Sequence, residues 1–218
     1  AYALRDAGIV RIQNGEAITD LAIDELNRID FPDTVQGVIT SRIDRLPPSH
    51  QLTLKVASAI GRAFIVTLLA TVHPANVNKP TLVNYLSLLT QLGITDLETL
   101  YPELTYIFKH VITQEVVYGL MTFTQRKQLH CAIAEWYEKN YQEDLSPYYS
   151  RLAHHWLKGE SMEKAIYYLD KAGEQALDLY SNQDVLRFIT AAMELDLRMR
   201  GGVPLAGKPE PASNLRQA

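Results

Sequence analysis

The stretch Ile94-Thr95-Asp96-Leu97, followed beyond a turn at Tyr101-Pro102 by Leu104-Thr105-Tyr106-Ile107-Phe108, decides the fold. The second run alternates apolar and polar residues, the period of a strand half-buried on one face. Three short helices lie ahead of it. After Pro48, the residues Leu52, Leu54, Val56, Ala57 and Ile60 make one that breaks near Gly61, and Ile65 to Val72 makes another that stops before Pro74. The third is expected to start at Lys79-Pro80, because proline is favoured in a first helical turn, and to run through Leu82, Leu86, Leu89 and Leu92 to Gly93. Three helices closed by a β-hairpin make a winged helix.

Working outward, Gln13-Asn14-Gly15 sits between the β-prone runs Ile9-Val10-Arg11-Ile12 and Ala17-Ile18-Thr19, and Asn-Gly in that setting is a strong hairpin signal. A helix opening the chain is expected to stop at Gly8. From Asp33, the residues Val35, Val38, Ile39, Ile43 and Leu46 recur at helical spacing until Pro47-Pro48 ends the pattern. Downstream of His110 nearly everything reads as helix. Ile112, Val116, Val117 and Leu120 mark one face, and Leu129, Ile133, Trp136 and Tyr137 mark the next. Three more helices are predicted at about 148–158, 162–180 and 182–199, broken at Gly159-Glu160 and Ser181-Asn182. Short connections make such helices antiparallel neighbours. Ala153, Ala165, Ala172, Gly173, Ala176, Ala191 and Ala192, interleaved with Trp156, Tyr167, Tyr168 and Phe188, suit stacked helical hairpins of the tetratricopeptide (TPR-like) kind. The expected fold class is therefore mainly α: a winged-helix-like domain over 48–122, with small β-hairpins, followed by TPR-like hairpins over 123–200 and a Pro/Gly-rich flexible tail from 201 to 218.

At 218 residues and 47% hydrophobic content the chain has enough apolar material for a core, and its formal net charge of −4 offers no long-range attraction for polyanions. A single cysteine, Cys131, and no signal-peptide pattern point to a cytoplasmic setting. The apolar stretch from Val56 to Val72 carries Gly61 and Arg62 near its middle, and reads as two buried helices with no membrane span. Opening on Ala1, in what looks like the inside of a helix, the chain reads as a piece of a longer protein.

Phe31-Pro32-Asp33-Thr34-Val35-Gln36-Gly37-Val38-Ile39-Thr40-Ser41-Arg42-Ile43-Asp44-Arg45-Leu46-Pro47 resembles the end of the ATPase module in STAND-class proteins, the large bacterial signal-transduction ATPases with numerous domains. The subgroup it is most similar to is often fused to class III adenylate/guanylate cyclase domains. Ala59-Ile60-Gly61-Arg62-Ala63-Phe64, Tyr106-Ile107-Phe108-Lys109-His110, Gln114-Glu115-Val116-Val117-Tyr118, Arg126-Lys127-Gln128-Leu129-His130, Leu152-Ala153-His154-His155-Trp156, Lys164-Ala165-Ile166-Tyr167-Tyr168-Leu169 and Lys171-Ala172-Gly173-Glu174-Gln175-Ala176 follow in the matching order. The likeness covers roughly residues 30–197. It implies that residues 1–47 end an ATPase module, that an upstream core binds ATP or ADP, and that the helical array senses a ligand or a protein or peptide partner. The chain itself has no Gly-x-x-x-x-Gly-Lys-[Ser/Thr] loop to cradle phosphates, so no cofactor is expected in this segment. The resemblance further implies one nucleotide contact. In related switch ATPases a histidine just after the winged-helix strand touches the β-phosphate of ADP, and His110 holds that place, although Phe108-Lys109-His110-Val111 lacks the Asp of their Met-His-Asp-like motif. The competing reading of His110 is a half-buried histidine that caps its own helix.

Other readings are weaker. Duplex recognition needs Arg, Lys, Asn or Gln on the inserted helix, and the expected recognition helix over 80–92 offers Asn84 and Gln91 but no cation after Lys79. His50, His130-Cys131 and His154-His155 invite a metal, yet neighbours on a helix point to different faces, so no metal site is expected. Trp156, Tyr167 and Tyr168 are the candidate lining of an interaction groove, against the plainer reading that they are core. No nucleophile stands beside a base, and Glu135, Glu138, Glu143 and Asp144 read as helix-surface charges, so no catalytic residue is expected. Three functions stay open: a non-catalytic coupling segment of a nucleotide-switch ATPase, a stand-alone TPR-like adaptor, and a DNA-binding regulator.

Overall fold

A computed structural model describes residues 11–13, 16–18 and 33–201. The expected opening helix up to Gly8 and the tail beyond Gly201 lie outside these described residues. The hairpin forms where Asn14-Gly15 predicts it: β1 (Arg11–Gln13) pairs antiparallel with β2 (Glu16–Ile18), Gln13 opposite Glu16. Helix α1 (Asp33–Asp44) follows, and α2 (Pro48–Ile60) starts with proline in its first turn.

The next segment departs from the sequence expectation. The stretch from Ile65 is not helical from its start: Ala63–Ile65 forms strand β3, and helix α3 (Val66–Val72) begins only after it. Helix α4 (Lys79–Gln91) is capped by Asn78, whose side chain accepts from the Thr81 amide at 2.9 Å. It ends where Gly93 takes a left-handed φ of 67° and the Ile94 amide donates back to the Leu89 carbonyl. That reversal suits a residue without Cβ. Strands β4 (Thr95–Thr99) and β5 (Thr105–Phe108) complete a three-stranded antiparallel sheet of order β3-β5-β4, with Phe64 opposite Tyr106 and Leu97 opposite Tyr106 across the central strand.

Helices α5 (Val111–Gly119), α6 (Phe123–Asn140), α7 (Tyr149–Lys158), α8 (Met162–Asp178) and α9 (Asn182–Met199) make up the rest, with a 3-10 turn at Ser146–Tyr148. A capping box fixes the start of α6: the Gln125 amide donates to the Thr122 hydroxyl at 3.3 Å, and the Thr122 amide donates to Gln125 Oε1 at 3.0 Å. Helix α8 stops two residues short of the predicted end. Tyr180 adopts a left-handed φ of 55° while the Ser181 amide returns to the Ala176 carbonyl, a glycine-type helix stop made by a tyrosine.

Two apolar clusters hold these elements. One gathers Phe64, Leu69, Leu82, Leu86, Leu89, Tyr106, Phe108 and Val117, and it also takes in Ile43 from the end of α1 and Leu46 from the turn after it. The other joins Ile133, Trp136, Leu152, Trp156, Tyr168 and Leu195 to Ala59 of α2 and Leu68 of α3, so the downstream helices pack directly on the sheet-bearing unit. Gly159 permits the closest approach in this layer. A Cβ there would lie 2.7 Å from Cys131 Sγ and 3.2 Å from the His155 carbonyl oxygen, closer than packed atoms tolerate.

Candidate functional site

His110 stands between β5 and α5, where an extended backbone (φ −126°, ψ 130°) makes it the N-cap residue of the helix. Its side chain is exposed and makes no capping bond to α5, which sets aside the reading of a half-buried capping histidine. Its pKa is lowered, first by desolvation and then by the positive charges of Lys109, Arg42 and Arg62, against which Asp96 pulls upward. The elements that bring those cations together are far apart in sequence. Arg42, on α1, donates to the Leu92 carbonyl at 2.9 Å; Arg62 precedes β3, where its carbonyl accepts from the Phe108 amide; and Lys109 directly follows β5. The positive end of α5 and three basic side chains make this corner favourable for an anion, with Asp96, 3.9 Å from Lys109 Nζ, opposing them.

Helix α5 leads away from that corner into the protein. Gln114 ties it to α2 by donating to the Ser58 carbonyl at 2.9 Å, and the Tyr118 hydroxyl lies 2.9 Å from Nε2 of His130 on α6. His130 Nδ1 in turn lies 2.8 Å from Nδ1 of His155 on α7. A hydrogen-bonded path therefore runs from α5 through α6 to α7. His130 and His155 are 2% and 4% exposed, and burial leads the causes that depress both: His130 falls to about 3, with His154, Lys158 and Arg126 adding to the effect, and His155 falls well below its ordinary value. Both imidazoles are neutral at pH 7. The exposed His154 joins them, and one ring nitrogen from each of the three lies within 4.8 Å of the others. This corrects the expectation that the histidines stay apart. Neighbours on α7 do differ in exposure, but the third ring comes from another helix, which spacing along one helix cannot reveal.

The proposed groove lining divides. Tyr167 is 55% exposed, whereas Trp156 and Tyr168 are 4% and 6% exposed and belong to the interior, so these two do not line an open surface. They converge instead on Glu138, which the sequence presents as an ordinary surface charge. The Trp156 indole N–H and the Tyr168 hydroxyl each donate to Glu138 Oε1 at 2.9 Å, and Lys164 Nζ lies 3.0 Å from Oε2 and 3.9 Å above the Trp156 ring. The Tyr168 hydroxyl is held far above its usual pKa by desolvation and by its bond to Glu138. One carboxylate thus joins α6, α7 and α8.

A cavity of about 400 Å³ opens between the sheet and the helical layer, lined by Phe64, Glu98, Glu103, Tyr141, Tyr148 and Arg151. The outer face of α4 presents Asn84, Ser87 and Gln91 and no cation beyond Lys79 at the helix start, while Leu82, Leu86 and Leu89 face the core. Among the described residues no helix is long and apolar enough to cross a membrane. Compared with known proteins, the chain matches no family model, no curated protein and no solved structure.

Proposed function

We propose that this chain is a non-catalytic coupling segment of a nucleotide-switch signalling ATPase of the STAND class, working in the cytoplasm. In this reading α2, β3, α3, α4, β4 and β5 form a winged-helix unit that docks on an ATPase core, and α6 to α9 form TPR-like hairpins that receive a ligand or protein partner. The observation that carries it is His110: exposed at the start of α5, with Arg42, Arg62 and Lys109 around it, it offers a phosphate a donor and a positive field. Helix α5 then supplies the mechanical link. A shift at its N-terminus reaches α2 through Gln114 and α6 through Tyr118, and the second apolar cluster spans both units, so nucleotide state and partner state bias one packed body.

A phosphate corner without a phosphate loop gives only part of a binding site. Titration of the isolated chain with ATP or ADP in a calorimeter is expected to show binding weaker than about 1 mM and no hydrolysis. Micromolar affinity or turnover would overturn the proposal.

One observation favours a stand-alone adaptor as the second reading. Leu186, Ile189 and Met193 share one face of α9 at helical spacing, and they are exposed together with Leu179 and Tyr180 at the end of α8. Such a face suits an apolar peptide or a further helix. DNA binding gains little from α4, whose outer face carries no cation beyond Lys79 at its start.

A further inference from the structure

We propose that His130, His154 and His155 form a zinc site that staples α6 to α7. The geometry is close to what the ion requires. Zn–N bonds of about 2.0–2.1 Å in a tetrahedron place ligand nitrogens roughly 3.3–3.4 Å apart. The Nδ1 atoms of His130 and His155 stand at 2.8 Å, and one ring nitrogen from each of the three histidines lies within 4.8 Å of the others, so opening the pair by about half an ångström and closing the third ring completes a three-histidine face. Water takes the fourth position, on the side of the exposed His154.

Tyr118 supplies the outer support such sites use. With Nδ1 of His130 on the metal, the proton resides on Nε2 and is donated to the Tyr118 hydroxyl 2.9 Å away, which fixes tautomer and ring orientation. The surroundings also select the ion. Lys158, Arg126 and Arg151 place positive charge around the cluster, with the partly buried Glu115 of α5 the carboxylate set against Lys158. Neutral nitrogen donors reject Mg²⁺ and Ca²⁺, which demand oxygen ligands, and suit a borderline ion that imidazole binds well, while the positive charges nearby lower affinity for every divalent cation alike. The inference is independent of the nucleotide reading, since a staple between α6 and α7 would serve an adaptor equally.

The test uses the full chain without an affinity tag. Calorimetric titration with Zn²⁺ is expected to give one site per chain with a Kd below about 10 µM, and Co²⁺ is expected to give the intense visible absorption of a tetrahedral centre. Zinc should also raise the melting temperature, with a rise that grows as the logarithm of its excess over Kd. His154→Ala removes a ligand whose ring is exposed, so the fold is kept, and affinity should fall at least about tenfold; Tyr118→Phe, which removes only the outer support, should weaken binding by roughly tenfold as well. Absence of a one-to-one site, a pale octahedral cobalt spectrum, or zinc affinity in His154→Ala equal to the parent's would each overturn the proposal.

Discussion

Glu138→Ala is expected to destabilise the chain by about 3 kcal/mol, lowering the melting temperature by roughly 6–12 °C at this size. The carboxylate is the shared acceptor of the Trp156 N–H and the Tyr168 O–H, and both donors lie in the interior of the helical layer. Removing it leaves two buried donors unsatisfied and deprives Lys164 of its ion-pair partner. The cost arises from those stranded groups far more than from the ion pair itself, which is half open to water. Glu138→Gln separates the two contributions. It keeps an oxygen for Trp156 or Tyr168 and loses the charge, so it should recover about half of the loss. Thermal melts of the two variants beside the parent check this, and equal melting temperatures for Glu138→Ala and the parent would show that water satisfies the donors.

The second large effect is a loss of stability in mild acid. In the unfolded chain a histidine takes up its proton near pH 6.5, whereas in the folded chain His130 does so only near pH 3 and His155 well below 6.5. Below pH 6.5 the unfolded state therefore binds more protons, so the stability present above that pH falls as pH drops, by about 1.4 kcal/mol per pH unit for each histidine that stays neutral. At pH 5 this amounts to about 2 kcal/mol for His130, and His155 adds to it in the same direction. The groups facing the pair are His154, Lys158, Arg126, Arg151 and Tyr118, and the positive ones among them reinforce the effect. Glu115, whose pKa is raised by burial, acts in the opposite direction and offsets a part near pH 5. Urea unfolding at pH 7.5 and pH 5.0, with a chelator present, should show a clearly lower midpoint in acid. An unchanged midpoint would mean that both rings take up protons in the folded chain as readily as in the unfolded one.

Much of the architecture is written in local chemistry. Pro47-Pro48, Pro80 and Gly93 each impose a backbone state that needs no distant partner, and the elements they bound stand where the sequence places them. Strand β3 is different. Ala63-Phe64-Ile65 is too short to carry a period, and it is a strand only because Thr105–Ile107, some forty residues later, lies beside it. The same holds for the chemistry. His110 is legible only through the family resemblance, which places a histidine just after that strand. Glu138 and the three histidines are not, because what distinguishes them from solvated charges and core rings is convergence from separate helices. Trp156 and Tyr168 fail as groove residues for that reason too: helical spacing marks a face but does not say whether another helix covers it.

The central claim is that His110 reads nucleotide for the helical array. Its most direct test is the rate at which ADP leaves the protein when the chain is joined to the ATPase core that the proposal places upstream, with His110 present and with His110→Ala. Loss of one charge-assisted contact to a phosphate should speed release by roughly ten- to a hundredfold, while the fold, in which this side chain is exposed, stays intact. Identical release rates would contradict the account.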